Sequence, residues 1–516
     1  MSRTGLSSAT AVVVGAGVGG LVSALALAGR GVEVVVVERA AKVGGKMRQV
    51  GVAGRAIDAG PTVMTMRWVL EEVFAEAGTT LDNEITLKRA ELLARHAWGS
   101  GPILDLYADM EASVEAISAF AGRSEGDGYR RFCAYTKRIF DAVQKPFLCS
   151  ERPSLSSALS AMGALGFDGV MHIDGHRTLW KAISEFFQDG RLRQLFGRYA
   201  TYCGSSPFLA PATLNVIAQV ERDGVYLVEG GMYKVAEALA RVAQKLGVVI
   251  RTGEHVSEIL VEGGRAAGVA LASGERISAD IVVHNGDPGA LAKGFLGTAS
   301  KKAVPTPAER SLSALTWAFV AEPKGKYPLT RHNVFFSRDY AAEFRELFDK
   351  SVLPSEPTVY VCAQDRDDAG NAPAGPERFL CLVNAPAKGD ERPLANSEIR
   401  QCEKAMFSLL ERAGLVFHPS NEPSVVTTPS DFDRMFPATG GALYGPASHG
   451  WRSPFARVNS RSKIPGLYLS GGAAHPGAGV PMAALSGRLA AKSAMEDLAS
   501  TSRSRKTVMP GGISMR

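Results

Sequence analysis

Apolar residues in this chain gather in short unbroken runs separated by glycine-rich turns, not in one repeating stripe. Residues 11–14 and 34–37 are β-branched runs without polar alternation, the pattern of parallel strands buried on both faces. Between them residues 21–28 predict a helix closed by Gly29 and Gly31. The same grammar returns at 248–252 and 279–285, after a helix that opens behind Gly230-Gly231-Met232 and ends at Gly247. Residues 256–261 and 266–271 alternate around Glu262-Gly263-Gly264 and predict a hairpin. Towards the C-terminus a strand following Gly466 runs into a glycine-rich loop, and a helix starts near Pro481, a favourable first-turn position.

Elsewhere the pattern changes. From 68 to 143 it is mostly helical, over 68–77, 110–121 and 128–143. A proline-containing break at 145–153 precedes a helical block at 178–199 in which aromatics interleave with cations. Such a block is either a helix lying on a bilayer or a packed helix with a solvated basic edge. Candidate strands at 311–320, 333–336, 359–362 and 379–383, closed by a helix at 397–413, suggest a mainly antiparallel sheet. The fold class expected is α/β: a discontinuous Rossmann-type nucleotide-binding domain, an inserted antiparallel-sheet domain, and a helical region.

The first strand breaks into Gly15-x-Gly17-x-x-Gly20, and the second ends at Glu38. Each part has a physical task in holding a dinucleotide. Gly15 permits the tight turn, Gly17 lets a pyrophosphate approach the backbone, and Gly20 lets helix pack on strand. The helix start offers free N–H groups and partial positive charge, and Glu38 can accept two ribose hydroxyls. Residues 11–29 carry no charge, so a signal peptide or membrane span competes; the glycine density and the strand–turn–helix–strand context argue against both. A second glycine turn, Gly44-Gly45-Lys46, puts backbone and a cation near the same pyrophosphate, and Asp58-x-Gly60-Pro61-Thr62 lets the chain approach a flat ring closely. The C-terminal loop repeats the opening logic, with bare N–H groups at a helix start; in a flavoenzyme these would face the N1–C2=O edge, where negative charge grows on reduction. Met482 stands where a third motif glycine would be, which favours one nucleotide over two.

Composition narrows the field. At 516 residues the chain can form two or three cores. Net charge is +6, and Arg503, Arg505, Lys506 and Arg516 supply four of those charges, so the body is nearly balanced and shows no basic field for nucleic acid. Residues 500–516 read as a disordered basic tail. Six scattered cysteines without C-x-x-C argue against zinc, a disulfide framework or an iron–sulfur site, and a reducing, cytoplasmic compartment fits them best.

These motifs, with the stretch from Gly466 to Gly487 and its Ala474-His475-Pro476-Gly477-Ala478-Gly479, occur in one order. The set resembles the bacterial phytoene desaturase family of FAD-dependent carotenoid desaturases, over nearly the whole chain to about Ala499. Within that family, residues 60–70 and 443–450 look most like the 1-hydroxycarotenoid 3,4-desaturases. The resemblance implies C3–C4 desaturation of a 1-hydroxylated acyclic carotenoid dissolved in membrane. It implies that Gly15, Gly17, Gly20, Glu38, Gly44, Gly45 and Lys46 hold the ADP half of FAD, and that Val256 meets adenine through its backbone. Gly60 and Pro61 would lie by the isoalloxazine, Gly472 would belong to the cofactor site, and Pro481 and Met482 would present backbone to the pyrimidine ring, Met482 being the donor because proline has no N–H. The expected organisation is FAD-binding segments at 1–100, 228–305 and 416–499, a helical membrane-facing region at 101–227, a sheet domain at 306–415, and the tail.

Forming C=C from CH2–CH2 removes a hydride equivalent and a proton. Hydride loss beside a polyene leaves a delocalised cation whose neighbouring C–H is acidic enough for water, so no strong base is required. Glu151 and His475 are the candidate bases; a surface ion pair with Arg152 and a loop-packing histidine are their bland readings. Peripheral membrane attachment through 145–199 is expected, with oxygen or quinone as electron acceptor. Two rival classes share this pattern: another flavin oxidase acting on amines or porphyrinogens, and a non-catalytic lipid-binding escort.

Overall fold

The computed structural model describes residues 9–148, 150–151, 173–305, 309–417, 423–451, 453 and 456–506. Its organising element is a five-stranded parallel sheet in the order Leu467–Leu469, Ile281–His284, Thr10–Val14, Glu33–Glu38, Val249–Thr252. Chain stretches hundreds of residues apart share one register: Val12 pairs with both Val35 and Val282, and Val283 pairs with Tyr468. Burial on both faces explains the unbroken valine runs. Val13, Val36 and Val283 pack under the helices Val18–Ala28, Tyr233–Lys245 and Val480–Lys506, whereas Val12, Val37 and Val282 pack against the small sheet Val256–Glu262, Arg265–Leu271, Arg276–Ser278. The expected hairpin forms within that small sheet, its two strands antiparallel.

A seven-stranded sheet forms the second layer, in the order Ser424–Thr427, Ser313–Ala321, Glu377–Ala385, Val359–Ala363, His332–Phe335, Leu92–Ala97, Ile103–Tyr107. It is antiparallel except where His332–Phe335 runs parallel to Leu92–Ala97. The two-residue alternation of strands divides its faces. Leu315, Trp317, Phe319, Phe379, Cys381 and Val383 share one core with the helix Asn396–Arg412, while Thr316, Leu380, Leu382 and Asn384 point the other way, into a large cavity.

Two of these strands correct the sequence reading. Leu92–Ala97 and Ile103–Tyr107 lie in a stretch whose pattern reads as helical. Arg95 and His96 interrupt the apolar alternation of the first strand, and both are satisfied only by tertiary partners: Arg95 pairs with Asp105 at 2.6 Å, and His96 Nδ1 lies 3.2 Å from the Leu104 carbonyl.

The helices Met110–Ala121, Arg123–Val143, Leu179–Ile183 and Gly190–Gly197 pack around an aromatic core in which Phe132 and Phe187 both contact Phe196, with ring centroids 4.8 and 4.6 Å apart. Phe187, Phe196 and Tyr199 are buried, so the packed-helix reading holds for this part of the block. Residues 152–172, within the stretch expected to meet a membrane, lie outside the described residues. The closing helix continues to Lys506, into the segment expected to be disordered; residues 507–516 lie outside the described residues.

Candidate active site

The strand Thr10–Val14 ends at Gly15, whose φ of 101° is open to glycine, and the helix begins at Val18 with no side chain capping its first N–H groups. A Cβ on Gly20 would collide with the Gly15 carbonyl, so the third motif glycine serves helix-on-strand packing. The Gly44 N–H donates to the Ala16 carbonyl at 2.8 Å, and a Cβ on Gly45 would stand 3.1 Å from the Gly17 Cα. Two bare glycine turns therefore lie against each other. The Glu38 carboxylate accepts the Ala16 N–H at Oε2 and the Ala40 N–H at Oε1, both at 2.7 Å. Each oxygen keeps a free lone pair for a hydroxyl. The Glu254 N–H donates to the Glu38 carbonyl at 2.9 Å, and Val256, two residues on, lines the same cavity as Glu38.

The second loop runs from the strand Leu467–Leu469 to the helix at Val480. A Cβ on Gly479 would meet nothing closer than 4.0 Å, so the helix start faces open space. Asn285, just past the strand Ile281–His284, stands between the loops: its amide donates to the Gly15 carbonyl at 3.3 Å and its Oδ1 accepts from Ser470 at 3.4 Å. Arg457 is buried and braces the second loop by donating to the carbonyls of Gly472 and Tyr444, each at 3.0 Å.

One continuous cavity of about 1170 Å³ joins these features. It is lined by Gly15, Gly17, Glu38, Gly44, Gly45, Lys46 and Val256, and also by Gly60, Pro61, Gly472, Pro481 and Met482. Of the expected cofactor residues only Gly20 lies behind the wall. Gly60 is required where it stands, since a Cβ there would collide with the Lys46 carbonyl. Lys46 departs from expectation in its direction: its ammonium donates to the Leu443 carbonyl at 2.7 Å, and burial lowers its pKa to about 8 against the opposing pull of Asp287.

The two candidate bases are not in the cavity wall. Glu151 pairs with Arg461 and with Lys492, each at 2.8 Å, and these cations hold its carboxyl below the usual range against the upward push of burial. His475 is 2 % exposed, turns Nε2 to the Ser150 carbonyl at 2.9 Å and packs its ring on Phe147; burial pushes its pKa down to about 4. His475 packs in its loop; Glu151 is held in a largely buried ion pair by Arg461 and Lys492, and Arg152 lies outside the described residues.

The rest of the cavity is apolar on one side, where Val143, Leu148, Val216, Ile217 and Val220 from the helical region face Leu380 and Leu382 of the large sheet. Polar groups interrupt it. Thr62 Oγ1 lies 2.7 Å from the Tyr360 hydroxyl, itself 2.7 Å from His332 Nδ1. Close by, Arg198 donates to the Tyr202 hydroxyl at 2.9 Å, and Tyr202 and Tyr199 donate to Glu221 at 2.6 and 2.7 Å. Thr62 belongs to the Gly60-Pro61 turn, but no motif singles out Tyr360, His332 or Glu221, nor Asn285 or Arg457, and Thr62 and Tyr360 meet from 298 positions apart.

The geometry fits a dinucleotide that carries a flat ring: one uncapped helix start, a second that faces open space, glycines that a Cβ would fill, and an acceptor carboxylate in one space. That space exceeds the roughly 300–1,000 Å³ of an ordinary small-molecule site, leaving room for a second molecule. Comparison with known proteins agrees. A family profile described as flavin containing amine oxidoreductase matches residues 18–495. Hydroxyneurosporene desaturase of Rubrivivax gelatinosus is 53 % identical over 508 residues, 98 % of this chain and 97 % of that protein. Hydroxyneurosporene desaturase of Cereibacter sphaeroides is 46 % identical over 95 % of this chain and 98 % of that one. A solved structure of putrescine oxidase bound to putrescine superposes with a TM-score of 0.60 at 15 % identity, covering 95 % of this chain and 99 % of its own, and shows the shared fold. The chain belongs to the flavin-containing amine oxidoreductase family, and within it to the carotenoid desaturases. It is an oxidoreductase, and its cofactor is FAD.

Proposed function

We propose that this chain introduces the C3–C4 double bond into an acyclic 1-hydroxylated carotenoid drawn from a membrane. One observation carries the reading: the glycine-lined space between the two helix starts and the apolar arm between helices and sheet are one cavity. Gly15, Gly17, Gly44 and Gly45 offer backbone to the pyrophosphate, Glu38 accepts from the ribose, and Val256 faces adenine. Gly60 and Pro61 border the isoalloxazine, while Gly472, Pro481 and Met482 bring the second helix start to its pyrimidine edge. Lys46 is given a bracing part, through the Leu443 carbonyl.

When bound, FAD supplies a hydride acceptor, which no protein side chain can. The residues around it orient the polyene and exclude bulk water. The proton lost from the neighbouring carbon goes to cavity water, since neither Glu151 nor His475 reaches the cavity. Oxygen or quinone is the outer electron acceptor. Among the described residues no helix is long and apolar enough to cross a membrane, and we place peripheral contact at the cavity mouth. There Trp451, 52 % exposed, lines the cavity, and Gly450 bonds the carbonyl of Leu209, 47 % exposed. Product analysis with a 1-hydroxylated polyene and with an amine tests the assignment; turnover of the amine alone would overturn it.

A further inference from the structure

The wall that the large sheet gives the cavity is apolar at Leu380 and Leu382, and the next side chain on the same face is Asn384. Its chain neighbours Val383 and Ala385 are fully buried, on the other face of the strand. Asn384 itself is partly exposed and lines the cavity. Among the described residues its carboxamide makes no hydrogen bond, and neither amide atom is sealed from the cavity. The surroundings explain why. Ala314, directly across on the strand Ser313–Ala321, offers only a methyl group. The register of Val359 with Val383, carried one residue further, sets Thr358 on the other side, and the Thr358 hydroxyl is already donated to Glu343 at 2.6 Å.

Water can satisfy such an amide only while the cavity is wet. A polyene that fills the apolar arm expels that water, and an amide left facing hydrocarbon loses hydrogen bonds without replacement. A guest that brings a polar group to this place avoids the loss. The carboxamide presents donor and acceptor without charge, the counterpart of an alcohol, which accepts from the Nδ2 amide and donates to Oδ1.

The register also sets this amide beside the turn that follows Gly60. Tyr360 pairs with Leu382, so Asn384 is its diagonal neighbour on the same face, the two residues being about 7–8 Å apart. The Tyr360 hydroxyl lies 2.7 Å from Thr62 Oγ1, and Thr62 follows Pro61 in the chain. On the proposed function, on which this inference rests, Pro61 borders the isoalloxazine. A hydroxyl on C1 is only three bonds from C3, so it enters at the same end of the polyene as the carbons to be oxidised.

We propose that Asn384 recognises the substrate's C1 hydroxyl and so sets the preference for hydroxylated over unhydroxylated polyene. A site built to hydrogen-bond a hydroxyl rejects the analogue lacking it, because its own polar group is then left unpaired. A methyl ether at C1 falls between the two, since it accepts from the amide but has no proton to return.

The test compares the FAD-loaded full chain with Asn384→Leu, which stays close in volume and deletes both polar atoms. Three acyclic polyenes, with hydroxyl, methyl ether or hydrogen at C1, are compared by kcat/KM and by binding, followed through the polyene's visible absorption. Wild type prefers them in that order. In N384L, kcat/KM and affinity for the hydroxylated polyene fall about tenfold to a hundredfold, while those for the unhydroxylated one rise because no amide is stranded. Should N384L come without flavin, Asn384→Ala takes its place; loss of flavin from both assigns the amide to the cofactor and overturns the subsite. A wild-type preference that survives unchanged in the variant, or a wild type without preference, overturns the subsite and leaves the desaturase reading intact. A wild type that converts none of the three overturns both.

Discussion

The Ser23 hydroxyl donates to the carbonyl of Gly487 across 3.1 Å, joining residues 464 positions apart and tying the helix that opens the chain to the helix that closes it. Both helices start at the cavity, one behind Gly15-x-Gly17 and the other behind Gly479. Their close approach makes two anion-seeking helix starts into one site, and a glycine at 487 is what allows it. A Cβ there would run into the Gly19 carbonyl and crowd the Ser23 N–H at 3.1 Å.

Gly487→Ala should therefore push the two helices apart. Overpacking of this kind costs about 1–3 kcal/mol. The expected result is a lower unfolding midpoint together with a lower flavin-to-protein ratio after purification; loss of stability with full flavin content would show that the helix contact does not shape the cofactor site.

How far the sequence alone led depends on the range of the interactions. The valine runs at 34–37 and 11–14 were readable because burial on both faces is written locally, and the glycine turns because their spacing is a local motif, although Gly44 and Gly45 meet Ala16 and Gly17 only in the fold. Leu92–Ala97 was not readable, because Arg95 and His96 look misplaced until Asp105 and Leu104 are brought to them. The function of Glu151 was equally hidden: Arg461 lies 310 positions away. Asn285 and Arg457 gain their meaning only from the cavity that folding creates around them.

Glu151→Gln and His475→Asn test the assignment of the proton to water. With neither side chain in the cavity, turnover per bound flavin should stay within about threefold of wild type, against the hundredfold or more that loss of a general base costs. E151Q should instead lower thermal stability by loosening Arg461 and Lys492. A hundredfold fall in turnover with flavin retained would restore the side chain as the base.

Acid should unfold the protein through buried histidines. Burial lowers the pKa of His96 and His332 to about 3 and of His284 to about 4. Each folded-state value lies below the unfolded value near 6.5, so the folded protein binds fewer protons in this range. Their contribution is complete above pH 6.5 and is lost as pH falls towards 4, at up to about 1.4 kcal/mol per unit for each group. Denaturation midpoints measured from pH 7 to 4 should fall steeply, and less steeply in His96→Gln. A midpoint independent of pH over that range would contradict the buried neutral state.

The cavity mouth is expected to be the membrane contact. Replacing Leu209 and Trp451 together by glutamate should reduce cosedimentation with liposomes by at least about fivefold while flavin content is kept, because two exposed apolar side chains are exchanged for charge. Unchanged cosedimentation would move the contact elsewhere on the surface.

Mixing the purified yellow protein with a 1-hydroxylated acyclic polyene under strict exclusion of oxygen tests most directly whether the two helix starts and the apolar arm make one redox site. The flavin band should bleach as the polyene absorption shifts to the red, one flavin per new double bond, and both should stop after a single turnover until an acceptor is admitted. A flavin that stays oxidised while the polyene sits bound, or a polyene that gains its double bond in protein stripped of flavin, would contradict the account.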